Sequence, residues 1–233
     1  MSDPANYIGL PTHLSMERLQ PYLDNKRGDL GQALRLYTWN IQAASAFWGP
    51  LHVFEVALRN AFHSQLAARF GQADWWDSPN IHFTHVGAAM VAQAKTSASR
   101  VAAVKGRPLQ TGDVVAALSY GFWSSLAGPG GGCQYETQFW QPALIKAFPN
   151  NQVVGTRRAA MSRNLESVRL FRNRIANHEP IFRRHLAADH DTLIRLADAI
   201  DQDLADYMSS HSRVVDVLAQ RNGLVTTGIG AKF

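Results

Sequence analysis

Arg172-Asn173-Arg174-Ile175-Ala176-Asn177-His178-Glu179-Pro180-Ile181-Phe182 is the stretch that decides how this chain is read. Upstream of it, Met161, Leu165 and Val168 lie four and three residues apart, and the series runs on through position 172 to Ile175. That spacing is the apolar stripe of an α-helix. Position 172 is an arginine, and a guanidinium on a core-facing stripe is costly unless an anion or a water-filled cleft receives it. Pro180 lacks an N–H and pushes Glu179 out of the α region, so the helix ends near His178. On an ideal helix His178 would lie about 120° around the axis from Arg172. The two side chains would not touch, but they could line one cleft that a second copy of the helix completes.

Charge concentrates in the same segment. Thr156–His185 holds eight arginines against two acids, a local charge of +6 where the whole chain carries +5. All eight are Arg, the side chain suited to forked phosphate contacts. Together with a pI near 9.6, this points to a polyanionic partner.

Outward from this segment the chain reads as helix after helix. Ser15 caps a helix carrying Leu19, Tyr22 and Leu23, with a kink or split predicted at Pro21, and Asp29 opens a longer one. Gly49-Pro50 is expected to break that helix, with Pro50 starting a new one over 50–69. Residues 72–83 read as a loop whose Trp75 and Trp76 plug the core. Helices are predicted over 84–105, from Asp113 to Leu126, near 135–147, over 156–178, from Asp189 to Met208, and near 212–221. Alternating β patterns are scarce. The expectation is an all-α bundle of about eight helices: an N-terminal arm (1–14), one helical domain (15–208), and a short helix with a frayed tail (209–233).

Composition limits the function classes. With 233 residues, 46% hydrophobic and 18% charged, the chain can bury a real core. A single cysteine, Cys133, rules out an intramolecular disulfide and a Cys-based zinc site. No stretch has the length of a membrane span and the N-terminus lacks a signal-peptide pattern, so a cytoplasmic protein is expected. The glycine run at 128–132 lacks the Lys-Ser/Thr of a phosphate-binding loop. His178-Glu179 opens like a zinc-protease helix, but Phe182 stands where the second histidine belongs. Neither a metal nor a cofactor is expected. For the six tryptophans, core packing is the default reading.

Four blocks carry a resemblance: Tyr37-Thr38-Trp39-Asn40; Glu55-Val56-Ala57-Leu58-Arg59-Asn60; Leu118 to Leu126 (Leu-Ser-Tyr-Gly-Phe-Trp-Ser-Ser-Leu); and Leu170 to Phe182. In that order they resemble the Abi-like (abortive infection) branch of the HEPN superfamily, over roughly residues 15–208. The most specific match is Arg172 followed, after five residues, by His178. The resemblance implies a HEPN-like helical bundle that forms a homodimer. It also implies a metal-independent endoribonuclease in phage defence or as a toxin, with RNA as substrate and an antitoxin, protein or RNA, as a further partner.

On that reading His178 is general acid/base, Arg172 clamps the scissile phosphate, and Asn173 orients either group. Arg174, Asn177, Arg169, Arg59 and Asn60 are substrate-binding candidates. Relatives commonly carry two adjacent histidines, and Asn177 replaces the first. A catalytically silent RNA-binding or scaffold module using the same Arg-rich cleft is therefore the alternative.

Overall fold

The computed structural model describes residues 3–150, 157–230 and 232. Among them there is no β-strand, so the all-α expectation holds. Among the described residues there are eleven α-helices: α1 (Leu10–Leu14), α2 (Met16–Asn25), α3 (Leu30–Phe70), α4 (His85–Val104), α5 (Thr111–Ala117), α6 (Tyr120–Leu126), α7 (Arg158–Ala176), α8 (Leu186–Ile200), α9 (Gln202–His211), α10 (Val214–Ala219) and α11 (Arg221–Thr227). Thr156, where the Arg-rich segment was expected to begin, lies outside the described residues.

The count exceeds eight because helices predicted as single are divided by local capping. Ser119 caps α6 by accepting the Phe122 N–H, which separates α6 from α5. Asp201 does the same between α8 and α9, its carboxylate accepting the Leu204 N–H. The 212–221 helix is also divided, and the expected frayed tail contains α11. Residues 135–147 form a π turn at Glu136–Trp140 and a 3₁₀ turn at Leu144–Ala147 in place of an α-helix.

Merging runs the other way at Pro50. The helices expected to part there are one 41-residue helix, α3, about 60 Å long at 1.5 Å per residue. A proline within a helix removes one hydrogen bond and costs roughly 3 kcal/mol. Burial on both sides of it, with Phe47, Leu51 and Phe54 at 0–3% exposure, offsets that cost. Pro21 likewise sits inside an unbroken α2. The ends of α3 follow the expected signals, with Asp29 accepting the Gln32 N–H and Gly71 at φ +69°.

The chain divides into two compact units. The first comprises residues 1–52, 171–191 and 208–233. In its core Tyr22 meets Tyr37 edge-on at 5.2 Å and Phe182 at a tilt at 4.9 Å, and Phe47 lies edge-on to Phe171 at 4.7 Å. Buried Trp39 donates its indole N–H to the Val217 carbonyl at 3.0 Å.

The second unit comprises 53–170 and 192–207. Trp75, fully buried, is surrounded by Trp76, Phe83, Phe122, Trp123 and Phe139, so the expected tryptophan plug is present. Buried Tyr120 donates to the Leu165 carbonyl, and burial pushes its hydroxyl pKa well up. In the glycine run, Gly130 is obligatory: it sits at φ +66°, and a Cβ there would lie 2.3 Å from the Tyr135 ring.

Candidate functional site

The end of α7 is built by backbone geometry. After Ala176 the chain closes with a Schellman motif, in which the Glu179 N–H reaches the Arg174 carbonyl at 2.8 Å and the His178 N–H reaches that of Ile175 at 3.0 Å. The residue in the left-handed position is His178, at φ +57°. Glycine or asparagine is the usual occupant there, yet Asn177 lies one place too early. Two contacts hold this register. Arg18 Nη1 donates to the His178 carbonyl, and buried Asn40 Oδ1 accepts from the N–H groups of Ile181 and Phe182 at 2.8 and 3.1 Å. The outcome is an exposed imidazole on a backbone fixed from three sides.

Arg172 lies one position off the core stripe. Met161, Leu165, Val168 and Ile175 are buried as expected, but Phe171, 3% exposed, takes the place between them. Arg172 is displaced to the flank, half-buried, with its guanidinium 5.9 Å from the centre of the Trp48 ring.

Trp48 is where the two candidate residues converge. A cavity of about 290 Å³ in the first unit is lined by Tyr37, Asn40, Ile41, Ala44, Ser45, Trp48, Ile175, His178 and Glu179. His178 therefore edges the space whose indole wall carries Arg172. The ideal-helix angle of about 120° does not describe this arrangement, because α7 ends at Ala176 and the left-handed turn redirects His178.

The other candidates divide between the units. Asn173 is half-buried and Asn177 exposed, both beside the α7 terminus in the first unit. Arg174 pairs with Glu179 at 3.4 Å and reaches the Pro180 carbonyl. At over 40% side-chain exposure such a pair contributes at most about 1 kcal/mol. Arg169, Arg59 and Asn60 belong to the second unit. Glu166 grips Arg169 through two bonds of 2.7 Å, and that guanidinium holds the Glu166 carboxyl below its usual range. Arg59 is half-buried with its Nε sealed from solvent and without a hydrogen bond, while Asn60 is exposed.

Of the arginines in this segment, Arg158 is engaged by Glu136, Arg169 by Glu166, Arg174 by Glu179 and Arg184 by Asp189. The segment is less of an open cationic face than its charge suggests.

Asn40 and Trp48 were not among the sequence-level site candidates. A signal existed for the first: Leu36, Asn40, Ala43 and Phe47 form an apolar helical stripe interrupted by one polar residue. A larger open groove of about 730 Å³, lined by Arg213, Val217, Leu224 and Lys232 among others, includes none of the candidates. Among the described residues, no three or more His, Cys, Asp or Glu side chains are grouped to hold a metal ion, and no helix is long and apolar enough to cross a membrane.

No protein family, curated protein or solved structure matches this chain.

Proposed function

We propose that the chain is a metal-independent endoribonuclease that works as a homodimer in abortive-infection or toxin-type defence, with His178 and Arg172 at its reaction centre. The observation that carries this reading is an exposed imidazole locked in a left-handed turn at the edge of a cavity whose indole wall supports a guanidinium. Uncommon backbone conformations concentrate where function requires them.

RNA supplies its own nucleophile. The 2′-hydroxyl oxygen attacks phosphorus while a base removes its proton, the bond from phosphorus to the 5′-oxygen breaks, and an acid protonates the departing oxygen. The products are a 2′,3′-cyclic phosphate and a 5′-hydroxyl. Imidazole serves as base or acid near neutral pH, and two copies of His178 across a dimer would supply both. Arg172 would offset the negative charge that gathers on the phosphoryl oxygens. Its contact with Trp48 limits guanidinium freedom before substrate arrives.

The test is incubation of the purified protein with labelled RNA in EDTA. The expected outcome is cleavage to a cyclic phosphate, lost in His178→Ala and Arg172→Ala. Cleavage that requires Mg²⁺ and leaves a 5′-phosphate would overturn the mechanism.

One observation favours the silent RNA-binding reading: Asn177, in the place of a second histidine, is exposed and leaves one imidazole per chain at the cavity. RNA binding without cleavage in the same assay would select it.

A further inference from the structure

Five of the six tryptophans are buried, at 0–5% exposure, whereas Trp48 is 42% exposed. Along α3, the residues one turn before it are Ala44 and Ser45, and their small side chains leave the cavity open beside the indole. At about 290 Å³ the space lies at the bottom of the range of small-molecule sites, roughly 300–1,000 Å³. One ring system fits, and a helix or a peptide does not. The walls combine two aromatic side chains, Trp48 and Tyr37, with aliphatic Ile41 and Ile175. The polar groups are the Tyr37 and Ser45 hydroxyls, the His178 imidazole and the Glu179 carboxylate, which pairs with Arg174 at 3.4 Å and keeps acceptor sites to spare, while the Asn40 carbonyl oxygen is engaged by Ile181 and Phe182.

We infer that this cavity receives one unpaired nucleobase of the RNA, stacked on Trp48, and that it favours bases carrying an exocyclic amino group. Aromatic faces accept any base, so discrimination falls to the polar wall. Glu179, unlike the hydroxyls and the imidazole, only accepts: it takes hydrogen bonds from the amino group of cytosine or adenine, whereas the O4 oxygen of uracil in the same place meets a negative charge. A base within a duplex is stacked and paired and cannot enter without being extruded. The substrate class is accordingly single-stranded RNA or a loop. With the base seated, the adjoining phosphodiester emerges beside His178 and Arg172. This inference rests on the ribonuclease reading for the phosphate and on Trp48 for the base.

The test uses the full chain and short 2′-O-methylated strands, which lack the nucleophile and remain uncut. Fluorescence anisotropy is measured on A-rich, C-rich and U-rich single strands and on a hairpin duplex. Expected are tighter binding of the A-rich and C-rich strands than of the U-rich strand and the duplex, and weakening by about 5- to 150-fold in Trp48→Ala. Trp48→Phe should retain most of the affinity, and Glu179→Gln should narrow the gap between the A-rich or C-rich strands and the U-rich one. Unchanged binding in Trp48→Ala overturns the inference.

Cleavage of unmodified RNA by the same preparations separates the two claims. If wild type cuts and Trp48→Ala cuts with the same KM at the same positions, the base pocket is refuted and the nuclease reading stands. Trp48-dependent binding without any cutting refutes the nuclease reading and keeps the pocket. Absence of binding by every strand refutes both.

Discussion

His178 stands on a backbone that disfavours it. A side chain in the left-handed region costs roughly 1–2 kcal/mol where glycine costs little. Asparagine tolerates that region best among residues with a side chain. His178→Asn is therefore expected to melt within about 0.5 kcal/mol of wild type, because the exposed imidazole packs against little. RNA cleavage should fall by roughly 10²–10⁴-fold through loss of the acid/base group. His178→Gly should be up to about 1 kcal/mol more stable and equally inactive. Thermal melts beside the cleavage assay check both, and an active His178→Asn would remove the imidazole from the mechanism.

Arg172 illustrates how far single residues could be read beforehand. Spacing placed it on the core stripe, but an apolar stripe is at least 100° wide, so the pattern could not decide between Phe171 and Arg172, and the structure gives the core position to Phe171. The left-handed turn was illegible for a related reason. Pro180 demands an extended residue before it, and Asn177 or His178 would then serve. The choice belongs to Asn40 and Arg18, more than a hundred residues away.

Among the elements, α3 matters most to the site, because Tyr37, Asn40, Ser45 and Trp48 all project from its first half. Asn40 does for the segment after α7 what a cap does for a helix end. Asn40→Ala would leave the Ile181 and Phe182 N–H groups buried without an acceptor, at about 1–3 kcal/mol each. A loss of roughly 2–4 kcal/mol is expected in urea unfolding. Cleavage should also fall under conditions where the variant remains folded, because the turn bearing His178 loses an anchor. Stability within 0.5 kcal/mol of wild type would show that Asn40 does not hold the turn.

The caps at Ser15 and Asp29 were legible because each opens an apolar pattern, whereas Ser119 and Asp201, with the same three-residue reach to an N–H, stand inside patterns that run on across them. Pro50 was misjudged because local propensity treats it as a stop, whereas long-range burial kept α3 whole. The 135–147 stretch failed for the opposite reason: its apolar spacing is helical, but Tyr135, Phe139 and Trp140 are buried among tertiary neighbours and the backbone accommodates them with a π turn.

At the scale of the molecule, the all-α class followed from periodicity alone, while the division into two compact units did not, since α3, α7, α8 and α9 each contribute to both. Each unit also holds a histidine that burial keeps below its ordinary pKa: His190 beside Ser212 in the first, and His63, whose Nδ1 faces the Trp75 indole N–H, in the second. Both are held neutral in the fold, and both bind protons more readily once unfolded, near pH 6.5. Their contribution is complete above about pH 6.5 and is lost as pH falls through the depressed folded values. The urea midpoint should accordingly drop between about pH 7.5 and 5.5, and less so in a His63→Gln/His190→Gln double variant. Asp3, which Arg35 holds at about 2, changes charge below this window. An equal drop in the double variant would exclude both histidines as its source.

The strain at position 178 also bears on how the chain would respond to laboratory selection. A screen rewarding only heat tolerance should drift toward glycine or asparagine there, gaining durability while discarding the chemistry. If His178 acts as proposed, the most robust survivors would then be inert, and this one codon would record whether the proposed nuclease activity was under selection at all.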